Sequence, residues 1–398
     1  MNPKGTTRRD FLKDGLIAGE VAALALCLGG QALAAAQPLL ISKHTDGAPY
    51  KIGILGCGNR SKAHISALND VPQIEVAALC DVVPHKMDER AKLIKKDPRQ
   101  PRKYADMEKM LAQEDLDAVA VVLPNHLHKM ATIAALQAGK HVFCEKPMAL
   151  TVADCNEMIA ASERARKAIQ IGTQRRHGNG YKKAVEAIRN APVGKILSSA
   201  VNSYRGDWRE PAADEYPAGV PYWRLIQEQC GGVVYEMGAH TIDVNNWIFD
   251  SEPVTVVSLQ GVNDPALRKR DSTDHGAVLV RYANDALMNY GGNLYTHGAS
   301  AADYFFAVKG TIALGDGKLE INYGRGSGIP GQDLAAPVRM DLPGGDGTNE
   351  QWKYFAKVLA GEAEPYPNGH SGRQSIQICQ GAIVSAKERT IVNVKDLG

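Results

Sequence analysis

The chain has 398 residues, 44% of them hydrophobic, and a formal net charge of +2. Such a length allows at least two domains with packed cores. The near-neutral balance, with no basic stripe beyond the first residues, excludes an electrostatic footprint for nucleic acid. Of seven cysteines, Cys27 falls in the leader, and the other six, without a Cys-x-x-Cys pair, read as buried free thiols and not as a disulfide framework.

Residues 1–36 read as an address. Lys4, Arg8, Arg9 and Lys13 precede a weakly apolar stretch and small residues around Ala34 and Ala36, the layout of a cleavable signal. "TTRRDFLK" resembles a twin-arginine signal, which exports folded proteins. The stretch is too short for a membrane span, so no integral span is expected in the mature chain. The expected location is the periplasm or the exterior. Residues 37–49 read as a linker.

From residue 50 to 173 short apolar runs ("KIGILG", "IEVAALCD", "LDAVAVVLP", "KHVFCEKP", "AIQIGT") alternate with helical segments. Runs apolar throughout suit a parallel sheet covered on both faces, so this part reads as a doubly wound domain. After Lys195 longer, partly alternating runs predict a second domain over 174–398, an α+β unit with a large open, mostly antiparallel sheet. The Gly/Pro-rich stretch 324–347 reads as a surface loop, and helical patterns return at "NEQWKYFAKVLAG" and "SGRQSIQICQGAIVSAKE".

"GILGCGNRSKAH" places Gly56, Gly58, Asn59, Arg60 and Ser61 between a strand and a helix. Gly56 permits the tight turn, Gly58 lets backbone approach a pyrophosphate, and the helix N-terminus favours its charge. Such turns also form for steric reasons alone. Asp81 ends the next predicted strand, close to where an acid meets the ribose hydroxyls of NAD. Lys86 and Arg90 follow, which keeps NADP open. Pro124, Asn125 and His128 in "LPNHLH", and Glu145 and Lys146 in "CEKP", follow strands at the ligand-binding edge. A lysine buried there shifts its pKa and assists proton transfer; on the surface it would only pair with Glu145. No metal site is expected, since His126 and His128 lack partners in ligand spacing.

Gly-x-Gly-x-x-Ser with His64, Pro124-Asn125-His126-x-His128 and Glu145-Lys146-Pro147 resemble the Gfo/Idh/MocA family, which includes glucose–fructose oxidoreductase and inositol dehydrogenase. The resemblance implies a Rossmann domain followed by an α/β domain whose open sheet often mediates oligomers. It also implies nicotinamide contacts from Gly56, Gly58, Asp81, Asn125, Glu145 and Lys146, with Lys146 also catalytic.

In "GGVVYEMGAHTIDVNNWIFD" Glu236, His240, Asp243 and Trp247 share one face if the segment is helical. An imidazole there either serves as general base or is a core histidine pinned by Asp243. The family pattern, an acid four residues before a histidine, favours His240 as base, Glu236 as its polariser or a substrate contact, and Asp243 as support. Gln174, Arg176, Tyr204, Trp208 and Arg209, with Tyr222 and Arg224 nearby, are expected to line the substrate side for a carbohydrate. The expectation is an exported oxidoreductase of a sugar, polyol or derivative, holding its NAD tightly because no cytosolic pool is at hand. The alternative is a redox-neutral glycosidase that transiently oxidises a glycoside.

Overall fold

The computed structural model describes residues 47–95, 100–206, 216–217, 219–220, 222–263, 269–296, 302–324 and 337–398, with Leu39, Ile41 and His44. The leader 1–36, Trp208 and Arg209 lie outside the described residues.

Strands β1 (Tyr50–Leu55), β2 (Ile74–Cys80), β3 (Arg102–Tyr104), β4 (Ala118–Val121), β5 (His141–Glu145) and β6 (Ile169–Gly172) form one sheet in the order β3-β2-β1-β4-β5-β6. Every pairing in it is parallel. All residues of β4, β5 and β6 are buried. That is why these runs are apolar throughout: helices cover both faces. The helices include Asn59–Leu68, Pro84–Ala91, His128–Gln137 and Val152–Ala165, the last capped by Thr151, whose Oγ1 accepts from Asp154 N at 3.0 Å. Strand order reverses between β1 and β4, and the crevice beyond their carboxyl ends is where such sheets hold ligands.

The second sheet has the order β14-β13-β12-β11-β7-β10-β9-β8-β15. Its strands are β7 (Ile196–Tyr204), β8 (Pro253–Gly261), β9 (His275–Tyr282), β10 (Leu287–Asn293), β11 (Asp303–Ala307), β12 (Gly310–Gly315), β13 (Lys318–Tyr323), β14 (Val338–Asp341) and β15 (Val392–Asn393). Among the described strands of this sheet, only β7 and β10 pair in parallel. The mostly antiparallel sheet expected from the sequence is therefore present. Along β9, Val278, Val280 and Tyr282 are buried while Leu279 and Arg281 are exposed, since one face meets the core and the other meets solvent. The buried face shares its core with Ile242 of the helix Ala239–Phe249 and with Ile376 and Cys379 of the helix Gly369–Glu388.

Two details depart from the sequence reading. The stretch 324–347 is not loop throughout: Val338–Asp341 pairs with β13 as an edge strand of four mostly exposed residues, too short for its alternation to stand out. The helix Thr348–Ala360 packs on the first domain although it lies far along the chain. Its Trp352, Phe355, Val358 and Leu359 join Ile52, Ile54, Ile65 and Phe143 in one core. The Phe143 and Trp352 rings stack with centroids 4.4 Å apart.

Candidate active site

The glycine turn has the geometry a dinucleotide needs. Gly56 has φ +93°, and a Cβ there would stand 2.2 Å from the Val122 carbonyl oxygen. At Gly58 a Cβ would meet nothing within 4 Å, so the backbone faces open space. The helix Asn59–Leu68 begins there without a side-chain cap, leaving its first N–H groups for a ligand. Asn59 is exposed at its first position. The Asp81 carboxylate accepts from Cys57 N at 2.6 Å and Val83 N at 2.8 Å, which pins the turn and sets the acid at the end of β2.

Ser61, standing where the fingerprint carries Gly or Ala, is buried with its hydroxyl satisfied. Its Oγ donates to the Gly58 carbonyl at 2.6 Å and accepts from Arg90 Nε at 3.0 Å. Arg90 is 2% exposed and also reaches the Gly58 carbonyl. It is built into the turn, so the guanidinium that kept NADP open is committed elsewhere.

Glu145 ends β5 with Oε1 receiving Arg60 Nε and His64 Nε2, each at 2.8 Å. Trp352 Nε1 donates to His64 Nδ1 at 2.9 Å, so the proton of a neutral His64 sits on Nε2, facing Glu145. Burial raises the Glu145 carboxyl, but the Arg60 charge and the His64 hydrogen bond outweigh it and hold the group far below the usual carboxylate range. Arg60 and Glu145, expected on the cofactor, thus spend their side chains on each other. Arg60 and His64 were legible as an i, i+4 pair on one helix face; Trp352, from a distant helix, was not.

Lys146 donates from Nζ to the Glu236 carbonyl at 2.8 Å. Burial lowers its pKa, with Glu236 and Glu145 acting against that. Glu236 itself is 5% exposed. Its Oε1 accepts from Asn125 Nδ2 at 2.7 Å and its Oε2 from Arg224 Nε at 2.7 Å. Burial raises the Glu236 carboxyl, but Arg224 and Lys146 prevail and lower it. Asn125 gives its other amide hydrogen to the Cys230 carbonyl at 2.8 Å, so the amide nitrogen expected on the cofactor ties Glu236 in place.

Glu236 lies in a π-helical turn, Val234–Gly238, that leads into the helix Ala239–Phe249. Such wide turns recur at functional sites. The segment is helical, the condition for a shared face, but its polar residues do not form one cluster. Asp243 does not support His240: its Oδ2 accepts from Arg176 Nε at 2.9 Å. Arg176, expected on the substrate side, is buried in this pair and lies over the Trp247 and Tyr366 rings. His240 Nδ1 is buried with no hydrogen-bond partner among the described residues. Burial, with Lys146 and Arg175 adding to it, lowers the His240 pKa well below its ordinary value, so the ring is neutral.

Other expected residues sort by their contacts. His128 sets its ring nitrogens 2.7 and 2.8 Å from the Pro147 and Leu123 carbonyls; the one N–H of a neutral ring donates to one of them, and both nitrogens face protein backbone. Pro124 precedes the short turn Asn125–Leu127. Gln174 leaves a buried Oε1 without a partner among the described residues, as a ligand-facing group would. Tyr204 is 37% exposed and donates to Asn202 Oδ1 at 2.7 Å. Tyr222 accepts from Arg224 Nη1 at 2.8 Å. The sequence reading passed over Arg175, which donates to Thr241 Oγ1 at 3.1 Å beside His240. Both arginines of this pair turn inward, Arg176 to Asp243 and Arg175 to Thr241, and spacing does not say which meets which partner.

Residues 50–173 match an oxidoreductase family's NAD-binding Rossmann fold domain, and residues 185–394 match its C-terminal alpha/beta domain. The chain belongs to the Gfo/Idh/MocA oxidoreductase family. It is 30% identical to inositol 2-dehydrogenase of Salmonella typhimurium over 208 residues, 52% of this chain and 56% of that enzyme. The aligned part therefore spans just over half of that relative. D-apiose dehydrogenase of Paraburkholderia graminis is 25% identical over 87% of this chain and 90% of its own length. Levoglucosan dehydrogenase in complex with NADH and levoglucosan superposes with a TM-score of 0.74 at 20% identity, covering 87% of this chain and 99% of that one. That likeness is one of fold. The family's cofactor fits the residues found here: an open Gly58 backbone, an uncapped helix N-terminus, and Asp81 with no free arginine beside it in the turn.

Proposed function

We propose that this protein is an exported NAD-dependent oxidoreductase acting on a sugar, a polyol or a sugar derivative. One observation carries the reading: Lys146, just past the carboxyl end of β5 in the domain that holds the open glycine turn, donates to the Glu236 carbonyl of the second domain, four residues before the neutral His240. Gly56, Gly58 and Asp81 would hold NAD, which when bound supplies the acceptor for a hydride. His240, with Nδ1 bare, takes the proton of the reacting hydroxyl. Lys146 has two N–H donors left after its bond to Glu236 and hydrogen-bonds the oxygen as it becomes a carbonyl. Ionised Glu236 keeps the lysine's charge favourable in a buried place. The names of the relatives, inositol and apiose dehydrogenases, support a polyhydroxylated substrate.

The redox-neutral glycosidase is the weaker reading because it needs an acid to protonate the leaving group. Glu236 is held as a carboxylate, and Tyr235 is buried with its hydroxyl donating to the Leu150 carbonyl at 2.6 Å. Residues 6–13 support export and, with it, a cofactor loaded before transport and retained. The test is to purify the protein from the exported fraction, release and weigh any dinucleotide, then add sugars and follow absorbance near 340 nm with product mass. Formation of a keto-sugar with reduction of the nicotinamide is the expected result. Aglycone release from aryl glycosides with no keto-sugar would replace this reading with the glycosidase.

A further inference from the structure

The helix that carries His240 borders a second space. A cavity of about 390 Å³ opens between Met237, strands β7, β11 and β12, and the segment 342–345. Lys146, Glu236 and His240 are not among its walls. It is nevertheless tied to them: Ser203 Oγ lies 3.0 Å from Thr241 Oγ1, and Arg175 donates to that same hydroxyl, one residue past the candidate base. The size is that of a small-molecule site, ~300–1,000 Å³.

Its chemistry is uneven in an informative way. Among the described residues, Arg175 on one wall is held by a single hydrogen bond, to Thr241, and by the Tyr181 ring, whose centroid is 5.3 Å from the guanidinium. Asp303 on another wall accepts only from Asn202 N, at 3.0 Å, among the described residues. Burial pushes the Asp303 carboxyl up to about 6, with Asn202 N–H and Arg175 acting the other way. No ion pair joins the two side chains among the described residues, so a cation and an acid face one cavity without neutralising each other. A hydroxyl group satisfies both, donating to the carboxylate and accepting from the guanidinium. Gly317, Gly344 and Gly345 on the rim have open space where a Cβ would stand. Tyr204 adds a half-exposed ring at the side, a flat surface for the C–H face of a sugar.

We propose that this cavity is a second carbohydrate subsite, which holds the sugar unit next to the one oxidised, and that the substrate is a glycoside or oligosaccharide of at least two rings. This rests on the carbohydrate oxidoreductase reading above. The test is calorimetric titration of the full protein with glucose and galactose, and with cellobiose, maltose and lactose. Two variants accompany it: Arg175→Met, which keeps the aliphatic stem, and Gly344→Leu, which fills the cavity from a rim position with no steric neighbour. At least one two-ring sugar is expected to bind about tenfold or more tighter than its single-ring unit. Both variants should bring that ratio to within about threefold of unity. Equal affinities for one and two rings in the wild type, or an undiminished ratio in both variants, would overturn the subsite. A protein that binds two-ring sugars preferentially but forms no keto-sugar from any of them would instead overturn the oxidoreductase reading and leave the subsite standing.

Discussion

Lys146 and His177 show how burial sets chemistry one residue at a time. Lys146 donates to one backbone carbonyl and feels the charges of Glu236 and Glu145, and its lowered pKa places a labile proton where a hydroxyl would react. Lys146→Ala removes a polar side chain whose one hydrogen bond goes to the Glu236 carbonyl and leaves the apolar core packing in place. The expected outcome is a native circular dichroism spectrum, retained dinucleotide and a turnover loss of roughly 10²–10⁴-fold; normal turnover would reduce Lys146 to a structural role. His177 is buried with Nε2 2.8 Å from the Tyr366 carbonyl, and burial brings its pKa down to about 4. An unfolded chain binds that proton first, near pH ~6.5, so native stability is full above that pH and is lost as pH falls toward the folded value. The loss is about 3 kcal/mol for this group. Urea unfolding at several pH values should show His177→Gln, which keeps a side-chain N–H, with a shallower decline than the wild type. Equal slopes would mean that other groups carry the acid sensitivity.

At the scale of elements, the β1 turn separates what the fold requires from what the ligand requires. Gly56 is needed by the fold, since its φ of +93° and the Val122 carbonyl leave no place for a side chain. Gly58 has no such neighbour, so its lack of a side chain serves whatever approaches from outside. Gly58→Val should therefore melt close to the wild type yet bind NAD at least tenfold more weakly by calorimetry, about 1.4 kcal/mol. Gly56→Val should fold poorly. The same element predicts the cofactor: with Arg90 fastened to Ser61 and Gly58, Asp81 repels a 2′-phosphate unopposed within the turn. NAD should bind the stripped protein at least tenfold tighter than NADP, and the reverse order would point to Lys86.

At the scale of the molecule, one face of the second sheet carries a row of exposed apolar side chains among the described residues. Leu259 is 75% exposed and Leu279 55%, and Leu279 lies opposite Val257 on the neighbouring strand. Leu287 continues the patch through Ser198 to Phe306 on β11. Apolar side chains gathered this way across adjacent strands mark an interface, and a second copy of this chain is the expected occupant. Sedimentation should show a dimer or larger species that the double variant Leu259→Lys, Leu279→Lys dissociates; a monomeric wild type would refute it.

Local signals carried the Rossmann half. Continuous apolar strands, the glycine turn and the acid closing β2 each follow from backbone rules that act within a few residues, and they placed Gly56, Gly58, Asp81, Glu145 and Lys146 near one edge. The alternation of β9 and β10 likewise announced an open sheet before any partner strand was known. Contacts between distant segments had no such trace. Trp352 reaches His64 from a helix far along the chain, Asp243 turns to Arg176 and away from His240, and Arg175, not Arg176, faces the cavity with Asp303. Periodicity says which face of an element is buried. Which side chain meets which depends on packing angles and loop paths, and those are set only when the two sheets and the helices between them close around one another.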